Sequence, residues 1–386
     1  MKKQNRRKFL GDSMKLASTA LVLGSIPSAF AKEQNQESLH VTHKPKITNV
    51  ANKSQEAARN VAKNPFGLVY ENAISKNEKG KVNIQQVSYK TRGLKAVANV
   101  YLPANFTSSG KYPAIVVAHP NGGVKEQVAG LYAQNLAQMG YVTLAFDALY
   151  QGASEGSPRN VDTPTNRTED IYAAIDFIST FKGVDSERLG ILGICGGGGY
   201  TLKAAQTDKR LKAIATLSMF NSGLVRRNGF LDSQISSIQA RLEEASRARA
   251  KQALGEILYT GAAPVKLGEA ELAKIDTDLY REGAIYYGDT HAHPNSSFAY
   301  TTASLLELMS FDALNQIELI NKPLLLMVGD KADTAYMSEQ AYNRASGTDT
   351  KELFRLQDST HIQTYFKPNV VAQALSKLEE FYKQYV

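Results

Sequence analysis

The sequence predicts an α/β protein with a mostly parallel sheet covered by helices on both faces. Short, continuous apolar runs alternate along the chain with segments whose apolar residues recur at helical spacing. Continuous rather than alternating apolar runs are typical of strands that are buried on both faces. The chain has 386 residues, of which 43% are hydrophobic and 21% charged, so it can build a sizeable core.

The strands and helices follow one another in a regular order. Two alternating segments, 82–91 and 94–103, flank an Arg-Gly pair and predict an antiparallel hairpin at the sheet edge. Continuous apolar runs then predict buried strands at 112–120, 141–148 and 188–195, and further strands are predicted at 211–220, 322–330 and 351–357. Helical spacing predicts helices at about 127–139, 169–180, 336–345 and 369–384. Strands that alternate with helices indicate a parallel sheet.

Residues 222–300 interrupt this rhythm, because they contain no buried strand. Much of 232–258 has a helical pattern. An insertion between two sheet strands lies above their carboxyl ends, where a cover over an active site belongs. We therefore predict a mainly helical lid insertion at about 222–300, and the alternative is a structural excursion that never contacts a substrate.

The N-terminal segment has the pattern of an export signal. "NRRKFLG", residues 5–11, resembles a twin-arginine signal, and it is followed by the apolar stretch "LASTALVLGSI" at 16–26. "AFA" at 29–31 fits the small-x-small cleavage rule, so we expect cleavage after residue 31. The prediction is export by the twin-arginine machinery to the periplasm or outside the cell, without stable membrane association after cleavage. An uncleaved anchor is the alternative. Polar residues 32–64 are predicted to be a linker or a loosely docked arm before the domain at 65–386.

Charge and cysteine content exclude several function classes. The net charge is +8, of which +5 lies in residues 1–31, so the remaining +3 is too weak to indicate a nucleic-acid or anionic membrane partner. A single cysteine excludes an intrachain disulfide framework and a cysteine-based metal cluster. "HAHP" at 291–294 contains two histidines but no third ligand. We therefore expect no metal, no cofactor and no nucleic acid.

The only cysteine stands at the centre of "ILGICGGGGY", residues 191–200. A buried strand runs into this segment and a helix follows it, and Gly193 and Gly197 flank Cys195 as a nucleophile elbow requires. The small flanking residues let the backbones approach closely at the turn. The helix start is also expected to lower the pKa of the thiol. Phosphate-loop and dinucleotide readings fail, because no Lys-Ser/Thr follows and Cys195 occupies the second glycine position. An inert structural cysteine is the remaining alternative.

A thiol nucleophile needs a base and a group that orients the base. His361 follows a late strand and is the predicted base. The loop after the preceding strand, "GDKAD", offers Asp330 and Asp333 as the orienting acid. Asp333 is preferred because it lies deeper in the loop, and Asp330 stays open.

The loop "HPNGGVKEQ", residues 119–127, is predicted to complete the oxyanion hole. The backbone N–H of Gly196 supplies one donor, and the N–H of Asn121 or Gly122 supplies the other. His119 opens the loop and is predicted to be structural.

These motifs together resemble the dienelactone-hydrolase-like branch of the α/β-hydrolase superfamily. The matching stretches are "AHPNGGVKEQ", "GYVTLAFDALYQGASEG", "LGILGICGGGGY" and "STHIQTY". The resemblance implies an α/β-hydrolase fold, a triad of Cys195, His361 and an acid in the 330–333 loop, and an acyl-enzyme mechanism without metal or cofactor. The "GDKAD" loop departs from the family by one extra residue between glycine and acid.

The resulting hypothesis is an exported hydrolase of a small carboxylic ester or lactone. Arg226, beside Arg227, is predicted to bind a substrate carboxylate, and Tyr150 to line the pocket. Acyl transfer by the same triad is one alternative. A non-catalytic binding protein for small molecules on a hydrolase scaffold is the other.

Overall fold

A computed structural model describes residues 53–386. The predicted signal, residues 1–31, and most of the predicted arm lie outside the described residues. The structure contains ten strands: β1 (Asn83–Thr91), β2 (Leu94–Leu102), β3 (Tyr112–Ala118), β4 (Val142–Phe146), β5 (Val184–Ile194), β6 (Leu211–Leu217), β7 (Tyr259–Thr260), β8 (Tyr300–Thr301), β9 (Leu324–Gly329) and β10 (Lys351–Leu356).

The described residues form twelve α-helices. They are α1 (Gln55–Ala62), α2 (Val128–Gln138), α3 (Pro164–Ser179), α4 (Gly196–Ala205), α5 (Ser222–Asn228), α6 (Ile238–Ala253), α7 (Glu269–Leu272), α8 (Asp278–Ile285), α9 (Leu305–Leu308), α10 (Ala335–Arg344), α11 (Gln363–Phe366) and α12 (Pro368–Tyr385). None of them is long and apolar enough to cross a membrane.

Eight strands form one sheet in the order β1-β2-β4-β3-β5-β6-β9-β10. The β1–β2 and β2–β4 pairs are antiparallel, and every other pair is parallel. Helix α2 packs with α12, and α3 packs with α4, so helices cover both faces. The predicted α/β fold, including the edge hairpin, is confirmed. The apolar side chains of the central strands are almost fully buried, which explains their continuous apolar sequence.

The segment between β6 and β9 holds the predicted insertion. Residues 222–300 contain α5 to α8 and the short strands β7 and β8, which pair with each other in antiparallel register. A π-helical turn at Tyr286–Thr290 directly continues α8. The insertion therefore carries no strand of the main sheet.

The described end of the predicted arm forms a helix that contacts the domain. Helix α1 begins after Ser54, whose hydroxyl accepts the N–H of Ala57. The Asn60 side chain donates to the carbonyl oxygens of Asp289 and Ala292, at 2.8 and 3.3 Å. This polar helix is held by hydrogen bonds from side chains to the backbone. Such bonds produce no apolar period in the sequence, so helix α1 could not be predicted from one.

Candidate active site

Cys195 stands at the point where β5 turns into α4. Its backbone has φ 53° and ψ −121°, a conformation that costs a non-glycine residue about 1–3 kcal/mol. The turn is held by its carbonyl oxygen, which accepts the N–H groups of Gly198 and Phe220 at 2.8 and 2.9 Å. The strained geometry is therefore fixed by the surrounding backbone.

The glycines around Cys195 are required by close backbone approach. A Cβ atom on Gly197 would lie 2.5 Å from the carbonyl oxygens of Ala118 and His119. A Cβ atom on Gly193 would lie 2.6 Å from the Cα atom of Gly198. No side chain fits at either position, as the elbow motif predicts.

Two backbone amides are directed at the Cys195 sulfur. The N–H groups of Gly196 and Asn121 face the thiol and lower its pKa. Of the two open choices for the second donor, the structure thus brings Asn121 to the nucleophile. Gly122 is not among the groups that act on the thiol, and its carbonyl oxygen accepts the Ser296 hydroxyl.

The loop that carries Asn121 is anchored by buried charge. The Lys125 ammonium is fully buried and lies 2.8 Å from a carboxylate oxygen of Asp147, and it also pairs with Glu126. The other Asp147 oxygen accepts the Lys125 N–H at 2.9 Å. His119 is structural, as predicted: its Nδ1 lies 2.7 Å from the carbonyl oxygen of Pro120, and its Nε2 accepts the Ala148 N–H. Burial lowers the pKa of His119 to about 3.

His361 lies close to the nucleophile but is separated from it by a tyrosine. Its Nε2 is 2.9 Å from the Tyr365 hydroxyl, and Tyr365 lies beside Cys195 in the cavity and lowers the pKa of the thiol. Its Nδ1 is 2.7 Å from the Thr334 hydroxyl. Burial lowers the pKa of His361 to about 3, so the ring is neutral at rest.

Neither of the two predicted acids bonds to His361 in the structure. Asp333 accepts the N–H of Leu279 through Oδ2 at 3.0 Å, and its Oδ1 has no hydrogen-bond partner among the described residues. Asp330 accepts the Ser359 N–H at 3.0 Å and is partly buried. Within residues 53–386, no carboxylate bonds to His361, because the hydroxyl of Thr334 occupies Nδ1. Asp333 instead binds the first turn of α8.

Burial is the main influence on the pKa of the Cys195 thiol. It raises the pKa of Cys195 above the ordinary value, although hydrogen bonds from Tyr365 and the two amides lower it in part. The helix start alone therefore does not give the low pKa that the sequence suggested. The thiol is protonated at neutral pH and needs a base.

A cavity of about 430 Å³ opens above Cys195. Its floor includes Asn121, Cys195 and Tyr365, and most of its wall comes from the insertion. The insertion contributes mainly apolar and aromatic side chains, namely Pro264, Val265, Leu267, Leu279, Tyr280, Ala284, Tyr287, Phe298 and Tyr300. Such a cavity suits a small, largely apolar ligand.

One charged side chain, Arg226, lines this apolar cavity. Its guanidinium carbon lies 4.7 Å from the ring centroid of Tyr300, and its buried Nε has no hydrogen-bond partner in the described part of the chain. Arg227 points elsewhere, donating to the carbonyl oxygens of Met309 and Phe311. Tyr150 does not line the cavity, because its ring packs against Gly156, so that prediction is wrong.

Comparison with known proteins decides the family. Residues 98–225 match the family model described as the dienelactone hydrolase family. The chain is 38% identical over 308 residues to YcjY of Escherichia coli (strain K12), covering 79% of this chain and 98% of that protein. The chain belongs to the dienelactone hydrolase family. It is accordingly a hydrolase of the α/β type.

Two further relatives match most of the chain. PA2218 of Pseudomonas aeruginosa is 40% identical over 293 residues, covering 74% of this chain and 76% of that protein. Its crystal structure has a TM-score of 0.72 at 34% identity and covers 81% of this chain and 96% of that one. The quorum-quenching protein AidA of Acinetobacter baumannii is 29% identical over 282 residues, covering 72% and 88%.

The dienelactone hydrolase match ends where the insertion begins. Residues 98–225 contain the elbow and the oxyanion loop, but neither His361 nor most of the cavity wall. Tyr365 and Thr334, which also lie beyond the matched residues, were not predicted from the sequence. The spacing of His361 and Tyr365, four residues apart before a helix, is the signal that could have found the tyrosine, since such side chains share one helical face.

Proposed function

We propose that this protein is an exported carboxylic-ester hydrolase that acts on a small ester or lactone through an acyl-Cys195 intermediate. One observation carries the proposal: a cysteine held at positive φ on the floor of a cavity, with the N–H groups of Gly196 and Asn121 directed at its sulfur. An inert structural cysteine would require neither the strained turn nor the converging donors.

The chemistry follows from these contacts. The Cys195 thiol loses its proton toward His361, and the thiolate attacks the ester carbonyl. The amides of Gly196 and Asn121 stabilise the tetrahedral oxyanion, and each such donor contributes about 10²–10³ in rate. Expulsion of the alcohol leaves a thioester, which water cleaves with the same histidine as base. A thiolate is easily expelled, so activated esters, lactones and thioesters are better substrates than amides.

The cavity suggests the form of the substrate. Its mainly apolar wall fits an alkyl or aryl group, and the unpartnered Nε of Arg226 provides one place for an anionic or carbonyl oxygen. We therefore assign to the preferred substrate an apolar body with one carboxylate or comparable acceptor, bound by Arg226.

The test of the nucleophile is hydrolysis of p-nitrophenyl butyrate by the mature protein. Cys195→Ala and His361→Ala are expected to abolish turnover with the fold intact. His291→Gln is the matched histidine control, because His291 stacks on Tyr286 outside the cavity. Since the chain has one cysteine, a mass increase equal to the acyl group identifies acyl-Cys195 directly. Equal turnover in all variants would remove Cys195 from the mechanism.

The same samples separate the alternatives. Product analysis with added alcohols or amines distinguishes hydrolysis from acyl transfer. If no acyl-enzyme forms with any ester and the thiol alkylates slowly, the protein is a binding protein.

The role of Arg226 has its own test. Arg226→Met is expected to raise KM for a p-nitrophenyl ester with a terminal carboxylate by about 10- to 150-fold, as a lost charged hydrogen bond costs about 1.5–3 kcal/mol. KM for the neutral ester of equal length should change little, and Arg226→Lys should restore part of the loss. Equal effects on both esters would contradict a carboxylate contact.

Export is the remaining part of the proposal, and it rests on "NRRKFLG" and "AFA". Replacing Arg6 and Arg7 together by lysine is expected to leave an uncleaved precursor in the cytoplasm of a bacterial host. A periplasmic, cleaved product from that variant would contradict the twin-arginine route.

A further inference from the structure

A tyrosine hydroxyl lies between the nucleophile and the histidine. The oxygen of Tyr365 is 2.9 Å from Nε2 of His361, and the same side chain lies beside Cys195 in the cavity, where its hydroxyl lowers the pKa of the thiol. Both Cys195 and Tyr365 line the cavity, whereas His361 does not and is fully buried. The group next to the reacting sulfur is therefore Tyr365.

The surrounding structure fixes this arrangement. His361 lies two residues before α11 and Tyr365 lies within it, and their rings meet edge to face at a centroid distance of 5.6 Å. The other side of the imidazole is held by Thr334, 2.7 Å from Nδ1. Tyr365 is also packed edge to face against Tyr286. Neither ring is free to exchange places with the other.

On the basis of the proposed function, we propose that Tyr365 is a catalytic residue that relays the proton between Cys195 and His361. As the S–H bond of Cys195 breaks, its proton bonds to the Tyr365 oxygen. The original Tyr365 proton moves in the same step to Nε2 of His361. The products are a thiolate, an unchanged neutral tyrosine and an imidazolium whose Nδ1–H is donated to Thr334.

Within one turnover, protons pass through Tyr365 in both directions, toward His361 and away from it. After the thiolate attacks, His361 returns a proton to the Tyr365 oxygen, and the Tyr365 proton passes to the departing alkoxide. In deacylation, water gives its proton to Tyr365, which again passes one to His361. Burial raises the pKa of Tyr365 well above its ordinary value, so a separate tyrosinate is avoided and the two transfers are concerted.

The relay is tested by the reactivity of the single thiol, which needs no ester. Alkylation of Cys195 by iodoacetamide is followed by intact mass between pH 5 and 10 in the wild type, Tyr365→Phe, His361→Ala and the double variant. Tyr132→Phe is the matched control, because it removes another buried hydroxyl, bonded to the carbonyl oxygen of Thr364. Thermal melting checks the fold of each variant.

We expect Tyr365→Phe and His361→Ala to slow alkylation at pH 7 to the same extent, by about 100-fold as for loss of a general base, and the double variant to be no slower. Tyr132→Phe should react like the wild type. Alkylation of Tyr365→Phe at the wild-type rate, with His361→Ala slowed, would overturn the relay and indicate direct transfer.

A second measurement uses the wild type alone and does not depend on the folding of a variant. The rate of acyl-Cys195 formation from p-nitrophenyl butyrate in H₂O–D₂O mixtures should vary with a curvature that requires two protons in motion. A linear dependence would overturn the relay. These results are distinct from failure of the proposed function, which would appear as no acyl-Cys195 in the wild type at all.

Discussion

The partner of His361 gives the most direct test of the site geometry. In the structure, the Nδ1 atom bonds to the Thr334 hydroxyl at 2.7 Å, and both side chains are fully buried. Thr334→Val keeps the shape and removes the hydroxyl. A buried polar group left without a partner costs about 1–3 kcal/mol, and each 1.36 kcal/mol is tenfold in rate. The expected loss of kcat with p-nitrophenyl butyrate is therefore about 5- to 150-fold.

Asp333→Asn is the comparison that decides between the structure and the acid predicted from sequence. The amide oxygen of asparagine still accepts the Leu279 N–H, so kcat should stay within about threefold of the wild type. Ser338→Ala, which removes a buried hydroxyl without a partner among the described residues, controls for loss of an OH group near Thr334. A larger loss of kcat in Asp333→Asn than in Thr334→Val would refute the assignment and make Asp333 the group that orients His361 during turnover.

Three further predictions concern stability. Gly197→Ala should lower the free energy of unfolding in urea by about 1–3 kcal/mol, since its Cβ would meet two carbonyl oxygens at 2.5 Å, whereas Gly268→Ala should be nearly neutral. Lys125→Met should cost about 3–5 kcal/mol in the same assay because two carboxylates remain buried without a cation; an unchanged midpoint would contradict this. Thermal stability should fall as pH drops from about 6.5 toward 4. Burial lowers the pKa of His119 and His361 to about 3, and the unfolded chain takes up protons that the folded chain refuses. The buried carboxyls of Glu126 and Asp170 have raised pKa values and oppose this trend. Four histidines have lowered pKa values, since His291 and His293 add to His119 and His361. A rise in melting temperature over that pH range would therefore contradict the reasoning.

The sequence predicts the sheet and the elbow well because local rules determine them. A strand buried on both faces must be apolar throughout, and β3, β5 and β6 read that way. At the elbow, close backbone contacts exclude a side chain at positions 193 and 197. The glycines required there are visible directly in the sequence. The donor from Asn121 follows for the same reason, since its loop directly succeeds β3.

The features that sequence reasoning missed depend on contacts between distant segments. Tyr150 follows β4 as the pattern suggested, but its ring packs on Gly156 and not in the cavity. Helix α1 is held by the Asn60 side chain on a segment more than two hundred residues away. A local pattern of apolar residues cannot predict a hydrogen bond between a side chain and a distant backbone carbonyl.

The loop after β9 shows why the acid could not be chosen from sequence. Asp330, Asp333 and Thr334 are all polar and near the carboxyl end of the strand, so spacing alone allows each to face His361. The insertion distinguishes these residues. Leu279 of α8 donates its N–H to Asp333, and the hydroxyl of the next residue, Thr334, bonds to Nδ1 of His361. Adjacent residues thereby connect the cavity wall and the base, and the position of α8 determines which group His361 meets. A base without a carboxylate partner stabilises an imidazolium less. The Cys195 thiolate is then harder to form, and an activated carbonyl, as in the esters and lactones proposed for the site, compensates for a nucleophile that is rarely ionised.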